Sequence, residues 1–419
     1  MALPSKQEVQ HLVKQLTEVA NNYDDSASLA GYLSRTEIIA RAKELQRALI
    51  TADKTPTYHG LNVSVFYVHF PMAELIAIRT FIKLGVLDAI PETGSISLED
   101  LSKATGAQES LLERVARILV ATGFLLQPSP TTLSYAHSKF SLVYRSGSPA
   151  GYFFLALYDQ YFKHAYNFDD YLEAHGQLAA AREPDNPYHN PCTWNVKQDG
   201  MSVWQIMAQD PVKLAEFQKG LAGIDVAVPP VGHFDFSVLK NTEEENAAGV
   251  KELVDVGGGH GVVLAKILAA HSELSPKNAV LQERKDICDL AGQHLPEGVV
   301  VMEHDFTKEQ TVKGAKGYFM RMIMHDYSDE VASNILKQIV PAMNGQSRVL
   351  VCDMVLPQKV GEADFAAAVM DHAVMTMGGK ERTEEGFRKI FDAAGLELVK
   401  IWRAPGVPGG LVEGRLRAN

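Results

Sequence analysis

The sequence has little cysteine. Its three residues, Cys192, Cys288 and Cys352, are scattered and form no C-x-x-C pair. That excludes a cysteine-rich zinc site and points to a reducing compartment. Long uninterrupted apolar runs are missing as well. The most apolar stretch, FPMAELIAIRTFIKLGVLDAI, is broken by Glu74, Arg79 and Lys83 and is no membrane span. The opening residues, MALPSKQEVQHLVKQL, lack the apolar core of a secretion signal, so a cytoplasmic protein is expected. There is no excess of basic charge. With 40 Lys and Arg against 51 Asp and Glu, the net charge of −11 argues against nucleic acid as the main partner. Internal repeats and low-complexity tracts are absent.

What is present is ordinary for a globular protein, 46% apolar and 22% charged, with 419 residues, enough for two domains or one with an appendage. Up to about residue 230 the pattern is almost entirely helical. Val9, Leu12, Val13, Leu16 and Val19, and again Ile38, Ile39, Ala42, Leu45 and Leu49, form apolar stripes that need a partner surface, either the chain's own core or a second subunit. Helical patterns follow around 72–85, in SLEDLSKATG and in QESLLERVARILVATG, and FLLQPSPTTLSYA then reads as a two-stranded wing. A DNA-reading winged helix would carry a basic third helix. Here Glu109 and Glu113 alternate with Arg114 and Arg117, which favours a dimerisation module. Residues 183–200, EPDNPYHNPCTWNVKQDG, read as a loop, and DPVKLAEFQKGLAGI as a further helix.

From about 250 onward strands and helices alternate. The strand candidates are ELVDVG, NAVLQE, VVVMEHD, YFMRMIM, SRVLVCDMVL and LELVKIW, with helices at Val262–His271, Asp329–Met343 and Glu384–Ala394 between them. Near-continuous apolar strands separated by helices predict a doubly wound, Rossmann-like parallel sheet covered on both faces.

Two features of that half carry chemistry. VDVGGGHG sets Asp255, Gly257, Gly258, Gly259 and Gly261 between a strand and a helix, with Glu283 ending the next strand. Glycines there let a ligand approach the backbone, and a carboxylate on the next strand can accept ribose hydroxyls. A dinucleotide fingerprint fits poorly because Val262 occupies its last position, and no Gly-Lys-Ser/Thr follows for a P-loop. The D-x-G-x-G-x-G spacing is the one associated with S-adenosylmethionine. In YFMRMIMHDYSDE, Arg321 lies inside an apolar strand and His325 at its tip. A buried arginine is expensive unless an anion meets it.

With these motifs the chain resembles the plant-type and fungal secondary-metabolite O-methyltransferases, cation-independent enzymes with a winged-helix dimerisation domain. It is most similar to fungal enzymes that methylate polyketide phenols, such as those of the aflatoxin and sterigmatocystin pathways. The resemblance implies dimerisation through residues 1–60 and a winged-helix-like 61–145, a helical substrate-pocket and linker region over 146–235, and an S-adenosylmethionine-binding catalytic domain over 236–419. It also implies a homodimer acting on a small-molecule acceptor, without metal, nucleic acid or membrane. By the same resemblance Gly257, Gly258 and Gly259 form the donor loop and Glu283 binds the ribose, where the family usually has Asp. Asp305 and Phe306 contact the adenine, and Arg321 meets the carboxylate end of the methionyl part. His325 is implied as the general base, flanked by Asp353 and Glu381. The implied acceptor pocket is lined by Phe217, Leu221 and Ile224, joined by Trp204, Met207, Tyr158, His164 and Met375. Taken singly, each of these side chains is better accounted for by core packing than by substrate contact. Two other readings stand beside this one: a pericyclase or other non-methylating enzyme on the same scaffold, kept open by His164, and a winged-helix regulator that senses the donor.

Overall fold

Ser5 starts the first helix with its side chain, accepting the amide of Glu8, and the Glu8 carboxylate returns a bond to the Ser5 amide at 2.6 Å. That helix, Lys6–Asn21, packs against Leu29–Leu49 in the computed structural model, yet none of its residues is buried. The structure describes residues 4–26, 28–49, 72–129, 131–221, 225, 227–288, 295–361, 364–403 and 406–417. They divide into two units, Met1–Tyr158 with Glu216–Gly220, and Asp159–Ala215 with Leu221–Asn419.

In the first unit the helices Met72–Lys83, Leu98–Thr105 and Glu109–Ala121 enclose Ile78, Phe81, Leu101, Leu112, Ala116 and Leu119. Leu112, Ala116 and Leu119 recur at four- and three-residue steps and so form one face. Three short strands, β1 (Ile96–Ser97), β2 (Leu125–Leu126) and β3 (Ser134–His137), pair antiparallel in the order β1-β3-β2. This is the expected winged helix with one strand more than FLLQPSPTTLSYA alone provides.

The second unit is built on a mixed eight-stranded sheet. Its strands are β4 (Leu253–Val256), β5 (Ala279–Glu283), β6 (Val300–Glu303), β7 (Gly317–Arg321), β8 (Arg348–Leu356), β9 (Arg382–Thr383), β10 (Leu396–Arg403) and β11 (Gly409–Leu416). The order is β10-β11-β8-β7-β4-β5-β6, with β9 beside β8. Strands β4 to β9 pair parallel, whereas β11 lies antiparallel to both β8 and β10. The purely parallel sheet expected from the sequence is therefore corrected to a mixed one, and β11 was missing from that reading. Its sequence, GGLVEGRL, is rich in glycine, which weakens any strand signal. The glycine at 414 is required by packing, since a Cβ there would fall 2.2 Å from a ring carbon of Phe391.

Three further differences have local causes. Residues 183–200 contain a helix, Pro191–Asn195, capped by Asn190 with proline in its first turn. A helix at Phe365–Met375, absent from the sequence reading, leads toward Gly378 and Gly379. The strand expected to run through YFMRMIM ends at Arg321, because Met322 adopts a left-handed conformation with φ 54°. The helices Val262–Ala270, Asp329–Ile339 and Glu384–Ala394 occupy their expected places. Val254, Tyr318, Met320, Leu336, Val351 and Phe387 belong to the main apolar core. Among the described residues no helix is long and apolar enough to cross a membrane.

Candidate active site

In an open α/β sheet, ligand-binding groups gather where parallel strands end. Strands β7, β4, β5 and β6 are neighbours in that order, so the residues after them are brought to one edge. After β4 the chain turns through Gly257, Gly259 and Gly261, with φ of 71°, 58° and 80°, and enters the helix Val262–Ala270. Side chains are rarely accommodated at such φ values. Gly258 is fixed by space instead: a Cβ there would lie 2.3 Å from Asp255 Oδ2 and 2.4 Å from Leu281 Cδ1. On Gly257 it would lie 2.9 Å from Ile323 Cδ1 and 3.4 Å from Phe306 Cε1, whereas on Gly259 it would meet nothing within 4 Å. The loop is thus packed on one side and open on the other.

Asp255 is buried, and its Oδ2 has no hydrogen-bond partner. Burial, reinforced by the charge of Glu283 and opposed by Arg321, pushes its carboxyl up to about 7. Glu283 ends β5 and accepts the Arg284 amide at 2.6 Å. Asp305 follows β6 and accepts both the amide and the hydroxyl of Thr307. The neighbouring Phe306 ring lies edge-on to Tyr327, 6.1 Å between centroids.

Arg321 ends β7, and the anion that meets it here is part of the protein. Nη2 donates to Asp225 Oδ1 at 2.7 Å and to the Val228 carbonyl at 2.6 Å, and Nε to the same carbonyl at 3.1 Å. Lys266 pairs with the other oxygen of Asp225. The sequence reading named a ligand carboxylate as the counter-charge and gave Asp225 no part.

Past Arg321 the left-handed Met322 redirects the chain into a 3-10 turn, Met324–Asp326. The Met322 amide donates to Asp353 Oδ1 at 2.7 Å and to the Cys352 carbonyl at 3.1 Å. His325, in the turn, is buried. Its Nδ1 is 2.8 Å from Glu381 Oε1, and its Nε2 is 3.4 Å from Asp326 Oδ1. Glu381 is buried in turn, and its amide donates to Asp371 at 2.9 Å. Gly379 is obligatory beside the turn: a Cβ there would fall 2.3 Å from the His325 carbonyl oxygen.

Burial by itself would lower the imidazole pKa. Asp326, Glu381 and Asp353 outweigh it and push His325 up to about 10. Burial raises Asp326 to about 7, with His325 opposing and Asp353 and Glu381 reinforcing. It raises Asp353 to about 6, again against His325. The ring is therefore oriented through Nδ1, and the carboxylates around it favour its protonated form. Asp353 makes no hydrogen bond to the imidazole; it braces Met322, and its Oδ2 is left without a partner.

The residues expected to line the acceptor pocket fall in both units. Tyr158 and Phe217 belong to the first, and Trp204, Met207, His164 and Met375 to the second. The side chain of Leu221, and Ile224 altogether, lie outside the described residues. His164 is buried with an unpartnered Nδ1, and burial together with Lys163 lowers it to about 4. Among the described residues no group of three His, Cys, Asp or Glu could hold a metal ion. Asp225 and Arg382 had no part in the sequence reading. Most of their partners lie more than forty residues away, and no local pattern marks them.

A family model described as the O-methyltransferase domain matches residues 177–397, and one described as the O-methyltransferase dimerisation domain matches 70–146. Among curated relatives, methyltransferase cfoD of Aspergillus candidus is 31% identical over 412 residues, 96% of this chain and 97% of its own. O-methyltransferase hmp5 of Hypomyces subiculosus is 30% identical over 342 residues, 80% of this chain and 83% of its own. The crystal structure of OxaC superposes with TM-score 0.83 at 25% identity, covering 98% of this chain and 100% of that one. A structure described as a pericyclic reaction enzyme shares the fold, with TM-score 0.77 at 21% identity over 99% and 100% of the two chains.

Proposed function

The chain belongs to the O-methyltransferase family, and from that premise we propose that it methylates a hydroxyl, phenolic in character, of a small secondary metabolite such as a polyketide, with His325 as general base. The observation that carries this reading is the buried imidazole held through Nδ1 by Glu381 at 2.8 Å, at the ligand-binding edge of the sheet. S-adenosylmethionine is the methyl donor and supplies an activated, electrophilic methyl group. What remains for the protein is alignment, exclusion of water and removal of one proton.

The residues fit that donor. The loop Gly257–Gly259 is closed by Asp255 and Ile323 on one side and open on the other, which suits close approach of a nucleoside to the backbone. Glu283 would hold the ribose hydroxyls, Asp305 and Phe306 the adenine, and Arg321 the carboxylate, with Asp225 already beside that cation. Trp204, Met207, His164 and Met375 would contribute apolar and aromatic walls on the acceptor side. By domain, residues 1–60 and 61–145 would serve dimerisation, 146–235 the acceptor, and 236–419 the donor and chemistry. Exposed Val13, Leu29, Tyr32 and Leu33 on the first two helices support a homodimer that covers them.

His325 would take the acceptor proton on Nε2 while Nδ1–H stays on Glu381. A phenol ionises at about 10, close to the raised value of this ring, so transfer between them is nearly level in energy. A pericyclase has no proton to remove in this way, and the buried His325–Glu381 pair favours methyl transfer. The test is incubation with labelled donor and a panel of phenols. Transfer of label that disappears in His325→Ala supports the proposal. Failure of calorimetry to detect S-adenosylmethionine or its demethylated product on the wild-type protein refutes it.

A further inference from the structure

Arg382 is a buried cation with 2% of its surface exposed, one residue beyond Glu381. Its contacts converge on the turn that bears His325. Nη1 donates to the Met324 carbonyl at 2.7 Å and to the Lys380 carbonyl at 3.1 Å, and Nη2 donates to the Tyr327 carbonyl at 2.7 Å. Nε donates to Asp329 Oδ1 at 2.8 Å. The Lys380 amide donates to the His325 carbonyl at 2.8 Å. Three consecutive residues, Lys380, Glu381 and Arg382, thus grip the main chain before, at and after His325 as well as its ring.

We propose that Arg382 is a positioning residue for the reaction, a fork that fixes the 3-10 turn and so holds the His325 imidazole against Glu381. The inference rests on the proposed role of His325. The turn has no side-chain cap of its own, and its buried carbonyls need donors. On its upstream side the left-handed Met322 is braced by Asp353, and on its downstream side Arg382 is the matching brace. The planar guanidinium donates from three separate nitrogens in a fixed fork to the Met324 and Tyr327 carbonyls and to Asp329, whereas an ammonium would have to reach all of them from one nitrogen. The ion pair with Asp329 does not account for burying this cation. Asp329 is 44% exposed, and pairs that face water contribute little. The charged groups around the ring are Asp326, Glu381 and Asp353, and Arg382 itself offsets the last of these.

The experiment compares full-length wild type, Arg382→Lys and Asp329→Asn. It measures kcat, the calorimetric Kd for S-adenosylhomocysteine, melting temperature, and the pH titration of the His325 ring by NMR. Arg382→Lys keeps the charge and loses the fork. It is expected to lower kcat roughly 10- to 100-fold, the cost of a small misplacement, with Kd unchanged within twofold. The His325 titration should fall back toward the ordinary imidazole value as the ring leaves Glu381. An unchanged His325 titration in folded Arg382→Lys overturns the proposal, as does a loss of kcat matched by an equal loss of affinity. Asp329→Asn is expected to keep kcat within threefold. A loss there as large as the one expected for Arg382→Lys overturns the proposal even if Arg382→Lys does not fold. Absence of methyl transfer in the wild type would refute the proposed function, while the His325 titration would still decide the role of Arg382.

Discussion

Replacing Glu381 by glutamine removes the negative charge that faces Nδ1 of His325 and keeps the shape. The hydrogen bond between them is 2.8 Å long, buried and charge-assisted. Such a bond contributes about 1.5–3 kcal/mol. At about 1.36 kcal/mol per pKa unit, its loss moves the ring from about 10 to roughly 8–9. At pH 7 a ring that titrates at about 10 is neutral in only about one molecule in a thousand, so the variant has roughly 10- to 150-fold more of the basic form. Each neutral ring is weaker as a base by a similar factor when the proton is fully transferred in the transition state. The two effects nearly cancel at neutral pH and separate above it. Wild-type kcat is therefore expected to climb from pH 6 toward 10. The variant should level off one to two units earlier and reach a plateau roughly 10- to 150-fold lower. The assay is label transfer to a phenol under saturating donor, from pH 6.5 to 10. A ratio of wild type to variant that is the same at pH 7 and pH 9.5 would refute the reasoning, as would a ratio below threefold at pH 9.5.

His325→Ala should lower kcat by about 10²–10⁴-fold while leaving the Kd for S-adenosylhomocysteine unchanged, as calorimetry would show, since the ring acts on the acceptor proton. Asp255 is buried, and its folded pKa of about 7 lies above the ordinary carboxylate value, so it favours the fold when protonated and opposes it increasingly as pH rises from about 4 to 7. Donor-free Asp255→Asn is therefore expected to melt at a higher temperature than wild type at pH 8 and near the same temperature at pH 4, read by calorimetric scans. Light scattering should give twice the mass of one chain. Charged residues placed at Val13 and Leu33 should shift the population toward the single-chain mass if the exposed stripe is the covered one.

The sequence by itself determined the class of the second unit, because near-continuous apolar runs at β4 to β8 are interspersed with helical patterns at Val262–His271, Asp329–Met343 and Glu384–Ala394. It also marked Gly257 to Gly261 and Glu283 at strand ends, Arg321 inside an apolar strand and His325 at its tip, while Asp305 and Phe306 came from the family resemblance; the structure puts all of them at or just past strand ends. In a parallel sheet those ends lie together. What the sequence left undetermined is who meets whom across long separations. Arg321 is met by Asp225, Asp353 braces the Met322 amide and not the imidazole, and Arg382 reaches carbonyls more than fifty residues away. The early end of β7 turns on a single left-handed methionine, and β11 is a strand whose glycines make room for neighbours such as Phe391. Propensity and periodicity record interactions within a turn or two of the chain. The pairing of buried charges and the placing of a single ring are decided only when the strands are laid side by side and distant residues come within hydrogen-bond reach.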